Sequence, residues 1–221
     1  AVTALKQSLT AVTAYSPAVA DEIREAERRC DKYEDELGTY LIQVSSAKLG
    51  QEESEEATAL LKVIGDYERI SDHAVNVLES AEELRDKKLS LTADALREYG
   101  VMAKAVDEVL TLSETAFVQS DSEAATKVEP LEQVIDVLKD RLRTNHILRM
   151  QEGKCSAEVG FVWSDLLTNL ERVSDHCSNI AGCVIDAAHH DLNMHATLDA
   201  ARRRDPDFRE QYQRCAAKYQ V

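Results

Sequence analysis

The sequence predicts an all-α fold of two tandem three-helix bundles, six long antiparallel helices in all, followed by a short C-terminal helix. Three observations carry that expectation. Helical periodicity runs through almost the whole chain. Helix breakers are scarce, with 7 glycines and 3 prolines in 221 residues, while Ala, Glu, Leu, Asp and Arg are plentiful. One helical pattern also occurs twice.

Taken in order, a first helix is expected over residues 1–14. Ser16-Pro17 reads as an N-cap followed by proline at the first helical position, which starts a second helix running to about 47 and stopping before Gly50. An acidic loop, Gln51 to Ser54, leads to a third helix over 55–87. Ser90 to Thr92 starts a fourth, ending near 118. A fifth begins near Asp121 or Ser122. Pro130 must kink it or mark its true start, because proline lacks the backbone donor and clashes one turn back. Gly153 ends it. Ser156 caps a sixth helix to about 188, and Asp205-Pro206 starts a short helix ending near Lys218. No stretch reads as a strand. The organisation that follows is a first unit over 1–89, a second over 90–190 and a tail over 191–221.

The duplication is the strongest signal. Residues 68–73 read ERISDH and residues 171–176 read ERVSDH, an offset of 103 (171 against 68). An Asn follows eight residues after each Glu, at Asn76 and Asn179. A weaker echo aligns Glu27, Asp31 and Asp35 with Glu132, Asp136 and Asp140, at an offset of 105 (132 against 27). The order of elements repeats too, so the chain reads as two copies of one three-helix unit.

Positions i and i+4 share a helix face. Glu68, Asp72 and Asn76 therefore form one polar stripe, and Glu171, Asp175 and Asn179 its copy. At about 100° per residue, Leu61 and Val75 each fall within roughly 20° of Glu68. That places Glu68 on an apolar, inward-facing stripe. The residues in line with Glu171 are mostly small: Gly160, Ser164, Ser178 and Gly182. An inward carboxylate must be protonated, paired with a cation or bound to a metal. Arg69 and Arg172 diverge from their preceding Glu by about 100°, so neither is expected to neutralise its neighbour. Helices that project carboxylates four apart into a bundle make an oxygen-rich cage suited to Fe, Mn, Mg or Zn. The candidate metal ligands are Glu27, Asp31, Glu68, Asp72, Glu132, Asp136, Glu171 and Asp175, with Asn76 and Asn179 as supporting groups. An isolated E-x-x-x-D is commonly just a solvated acidic pair. Duplication and the inward register set these apart.

Other features narrow the function. A formal net charge of −15 opposes nucleic-acid binding. No apolar run approaches the roughly 20 residues a membrane-spanning helix needs. The opening Ala1-Val2-Thr3 is neither a signal peptide nor an initiator Met, so the chain is expected to begin within a longer protein. Five cysteines without a C-x-x-C argue for a reducing compartment. His189, His190 and His195 read as surface histidines, and Cys177, Cys183, Trp163 and Phe161 as core or bundle-interface residues. No phosphate-cradling glycine loop or nucleophile elbow is present.

At these residues the chain resembles the PhoU family of phosphate-signalling proteins, whose hallmark is a pair of three-helix bundles with E/D-x-x-x-D motifs. Here the motifs fall at Glu27…Asp31, Glu68…Asp72, Glu132…Asp136 and Glu171…Asp175. Five segments look like the PhoU-like cytosolic domain at the C-terminus of bacterial sodium-dependent phosphate cotransporters: YEDELGTYL (33–41), ERISDHAVNVLESAEEL (68–84), VEPLEQVID (128–136), LLTNLERVSDHCSNIA (166–181) and DPDFREQYQRCAAKY (205–219). The resemblance implies multinuclear metal clusters, iron foremost with zinc, manganese or magnesium as alternatives, at the acidic motifs. It implies control of phosphate uptake at the cytoplasmic face of the cell membrane, with the transmembrane transporter portion of the same protein as partner. A homo-oligomer is compatible with it. His73, His176 and Cys177 follow the motif Asp without being demanded by it, and either ligation or packing is open to them. Two other functions stand beside this one. A metal-free helical adaptor would use its acids against basic partners. A bundle di-metal enzyme would need Glu-x-x-His pairs, and each His here comes five residues after its Glu.

Overall fold

The computed structural model describes residues 1–46, 50–189 and 206–221. Its helices are α1 (Val2–Ala11), α2 (Pro17–Ser45), α3 (Gln51–Asp86), α4 (Ala93–Gln119), α5 (Ser122–Gln151), α6 (Ala157–His189) and α7 (Pro206–Lys218). No strand occurs among the described residues. The expected histidine stretch at His190 and His195 lies outside them, as does Asp205.

Helix starts follow side-chain chemistry. Thr92 Oγ1 accepts from the Ala95 amide at 3.1 Å, and Asp121 Oδ1 from the Glu123 and Ala124 amides at 2.9 and 3.1 Å. Ser156 Oγ accepts from the Val159 amide at 3.3 Å. Ser16 takes the N-cap position before Pro17, yet its side chain makes no capping bond. Two expectations shift. The acidic loop at Gln51 to Ser54 is the first turn of α3, because Glu53 reaches back to accept from the Gly50 amide at 2.9 Å. Pro130 does not start α5. Asp121 does, and Pro130 is carried inside the helix, buried beside Val128 and Leu131. After α5, Gly153 takes a left-handed φ of 69°, and the Lys154 amide closes onto the Arg149 carbonyl at 2.9 Å.

Helices α1, α2 and α3 pack as one three-helix unit, and α4, α5 and α6 as the second. Leu5, Ile23, Ile70, Val77 and Leu78 centre the first core. Met102, Leu110, Ile135, Leu142, Trp163 and Leu166 centre the second. The long repeats α3 and α6 lie against each other, antiparallel, and join the units. Tyr99, from α4, donates to the Leu9 carbonyl of α1 at 2.7 Å across the same junction. Tyr219, just past α7, is buried and hydrogen-bonded to Glu108 of α4. Trp163 is core as expected, but Phe161 is 74% exposed. The two residues stand about 200° apart on α6, so only one of them can face the bundle.

The two units differ in one respect. The helix that opens the first unit has 10 residues, and its counterpart α4 has 27. Among the described residues, the far half of α2 therefore has α3 beside it but no third helix.

Candidate metal centre

The duplicated motifs occupy equivalent places. Glu34 of α2 lies close enough to Glu68 of α3 for its charge to act there, and Asp31 and Glu27 share its face of α2 one and two turns earlier. Lys139 of α5 joins Asp136 to Glu171 of α6, and Glu132 shares the Asp136 and Lys139 face of α5. Glu27, Asp72, Glu132 and Asp175 are half-buried, and Asp31 and Asp136 are exposed. Glu68 and Glu171 keep 23% and 16% of their side chains open to water. Both sit on half-buried flanks, so the inward placement expected of Glu68 is corrected: Leu61 and Val75, which share its stripe, are only half-buried too. The fully buried stripe of α3 runs through Val63, Ile70, Ala74 and Val77.

At the first site, burial raises the Glu68 carboxyl above the usual carboxylate range. The charge on Asp72 adds to that rise, as do its hydrogen-bonding contact with Glu68 and the charge on Glu34. Arg69 opposes the rise. Its Nε lies 3.6 Å from Glu68, a reach that the fixed divergence of neighbouring positions did not lead one to expect and that its long, 65% exposed side chain makes possible. The site thus gathers like charges with only a loose, screened counter-charge.

At the second site an ammonium stands among the acids. Lys139 Nζ donates to Glu171 at 2.8 Å and to Asp136 at 3.1 Å, with 18% of its side chain exposed. Burial works against its charge, and the bonds to Glu171 and Asp136 outweigh that and hold it above the usual lysine range. Asp175 is raised by burial, with the Glu171 charge adding to it and Arg172, His176 and Lys139 opposing.

Asn76 and Asn179 are exposed. Asn179 turns away from the acidic flank and donates to Asp66 at 3.1 Å.

A model of the PhoU domain matches residues 1–81 and 100–184. The chain belongs to the PhoU family. Among curated relatives, it is 32% identical over 126 residues to the phosphate-specific transport system accessory protein PhoU homolog 1 of Thermotoga maritima. That stretch covers 57% of this chain and 53% of the relative, so the match spans about half of that relative's length. It is 25% identical over 188 residues to the corresponding PhoU homolog of Zymomonas mobilis, covering 84% of this chain and 77% of the relative. The fold matches crystalline PhoU from Pseudomonas aeruginosa with a TM-score of 0.79 at 19% identity, over 86% of this chain and 90% of that one.

Metal is what the PhoU resemblance implies here, and the two sites answer differently. The first offers only oxygen donors, with a raised carboxyl in contact with a second one, and that chemistry suits a hard cation. The second already holds a cation, the Lys139 ammonium. Among the described residues no three His, Cys, Asp or Glu side chains are already gathered around one point.

The residues that sequence reasoning missed in this PhoU chain lie where α3 meets α6. His73 Nδ1 is 2.9 Å from Asn169 Oδ1, and His176 Nδ1 is 2.8 Å from Asp66 Oδ1. The two rings lie 5.6 Å apart. Asp66 and Asn169 stand at the same offset of 103 as the motifs (169 against 66), so a pseudo-twofold axis runs between the histidines. Burial lowers His73 from its ordinary value. Cys177 is fully buried, which pushes its thiol up to about 12, and its carbonyl accepts from Ser113 at 3.3 Å. His73 and His176 thus hydrogen-bond across the α3–α6 seam, and Cys177 is buried with its carbonyl bonded to α4. The repeat offset, applied two residues upstream of the motifs, is the signal that would have found Asp66 and Asn169.

Proposed function

We propose that this chain is a non-catalytic regulatory module of phosphate transport, and that its acidic flanks take metal. Its PhoU domain supports the regulatory part, together with its relatives, which are named as accessory proteins of phosphate-specific transport systems. Those relatives are accessory proteins in their own right. The five segments singled out in the sequence favour a finer reading, the variety carried on the cytosolic side of sodium-dependent phosphate cotransporters. Among the described residues no helix is long and apolar enough to cross a membrane.

The single observation that carries the metal reading is the half-buried pair Glu68 and Asp72, one turn apart on α3, whose nearest cation is the exposed Arg69 with its Nε 3.6 Å from Glu68. A carboxyl raised by burial and by two neighbouring acids is relieved either by a proton or by a cation. Glu68, Asp72 and Glu34 would hold the ion, with Asp31 and Glu27 one and two turns before Glu34 on α2. Iron, manganese, magnesium and zinc all accept such donors, and several carboxylates in reach of one another allow more than one ion. When bound, the metal would supply positive charge to a surface otherwise strongly acidic, and so a place for an anion such as phosphate to approach.

Elemental analysis of protein prepared without a chelating column tests the metal part. Bound metal that disappears in Glu68→Gln is expected. A metal-free wild type that takes up no Fe2+ or Mn2+ on reconstitution overturns it. Phosphate uptake by cells carrying the transporter, with and without this module, tests the regulatory part. Uptake that responds to external phosphate identically in both strains rejects it.

A further inference from the structure

We infer that Lys139 is a built-in counter-cation that closes the second acidic site to metal, so that this chain loads metal at the first site alone. The inference rests on the metal reading above and narrows it. The repeat register identifies the residue. At the α2-to-α5 offset of 105, Lys139 stands where the first unit has Glu34 (139 against 34). The same position thus contributes a third nearby acid to the Glu68 site and an ammonium to the Glu171 site. One exchange changes the local charge by two units.

The equivalent arginines beside the motifs do not account for the difference. Arg69 and Arg172 are also equivalent, and both are exposed. Arg69 approaches Glu68 at 3.6 Å and Arg172 approaches Asp175 at 3.9 Å. Contacts that loose in water are weak and of similar strength in both units. Lys139 is different in kind. It is mostly buried and makes two charge-assisted hydrogen bonds, to acids from both helices of the site. A metal ion entering there must break both bonds and either expel the ammonium to water or sit beside it. The second choice places two cations within a few ångströms in a half-buried flank, which is repulsive. At the Glu68 site the equivalent step removes repulsion among carboxylates.

The test is Mn2+ binding to the full chain by calorimetry, with bound metal counted by mass spectrometry after gel filtration. Wild type is expected to lose most of its bound Mn2+ in Glu68→Gln and to keep it in Glu171→Gln. Lys139→Gln is expected to gain additional Mn2+, and Lys139→Arg, which keeps the cation, to behave as wild type. Circular dichroism checks that each variant is folded, and Lys139→Met serves if the Gln variant is not. Equal loss in Glu68→Gln and Glu171→Gln overturns the inference, as does a folded Lys139 variant with no added Mn2+. A wild type that binds no Mn2+ or Fe2+ overturns the metal reading itself. Lys139→Gln then still decides the closure claim, since Mn2+ uptake gained by that variant alone supports it and none rejects it.

Discussion

The two halves of the molecule share one plan and bury it differently. In the second half α4 covers the whole length of α5. In the first, the Ala1 amine lies 3.4 Å from Cys30 Sγ, and the cover that α1 gives α2 stops there. Beyond that point Tyr33, Leu37 and Tyr40 form an open apolar stripe. Their repeat counterparts at an offset of 105 are Leu138, Leu142 and Asn145, of which Leu138 and Leu142 are core. Leu37 is 44% exposed and Leu142 is 0% exposed. Equivalent sequence positions therefore have unequal energetic weight, and the repeat alone does not reveal which is which.

The widest gap is expected at the end of α5. There Arg149 Nη1 donates to Glu98 of α4 at 2.9 Å and its Nη2 lies 2.8 Å from the second carboxylate oxygen, with both side chains nearly buried, and Asn145 donates to the same carboxylate at 2.8 Å. Removing one partner strands the other charge in the core. Arg149→Met should cost about 3–5 kcal/mol. The equivalent position in the first half is Val44, where Val44→Met should stay within about 0.5 kcal/mol. Urea unfolding of both variants measures the contrast, and similar midpoints would show that α2 is covered after all.

A smaller gap is expected for the leucine pair. Leu142→Ala empties a fully buried position and should cost about 2–5 kcal/mol. Leu37→Ala removes a half-solvated side chain and should cost less than about 1 kcal/mol. A Leu37→Ala loss as large as that of Leu142→Ala would mean that something covers the α2 stripe in solution.

These contrasts mark what the sequence could and could not tell. Scarce Gly and Pro, the helical periods and the ER-S-DH duplication were enough for the helix count, their order and the pairing of α2 with α3 and of α5 with α6. Helix starts were legible wherever a side chain caps them, as at Thr92 and Asp121. They failed at Gln51, where Glu53 folds back on Gly50 and turns an apparent loop into a helical turn. The acids were legible as motifs, but their surroundings were not. Burial depends on the helix that lies opposite, and periodicity cannot supply that register. Aligning only identical residues also hid the most informative position. Glu34 and Lys139 differ, and it is their difference that separates the two sites. The histidine seam was hidden for a related reason, since His176 and Asp66 meet across a separation of 110 residues.

The smallest predicted effect is the most specific to the acidic sites. Because the folded chain raises the Glu68 carboxyl above its unfolded value, the native state holds that proton more tightly. Stability from this group is then intact below the ordinary glutamate range, falls as pH rises toward the folded value, and is fully lost above it. Glu68→Gln keeps the shape and removes the charge. In metal-free protein near neutral pH it should therefore stabilise by about 0.5 kcal/mol, the usual size of a like-charge penalty four residues apart on a helix, and raise the melting temperature by roughly 1–2 °C. At pH 3 the variant and the wild type should melt together. Added Mn2+ should reverse the order at neutral pH, because an ion bound only to the native state stabilises wild type and not the variant. Glu171→Gln gives the opposite metal-free result, since it weakens the hold on a mostly buried ammonium. If both substitutions shift the melting temperature in the same direction, the two sites are electrostatically alike and Lys139 does not distinguish them.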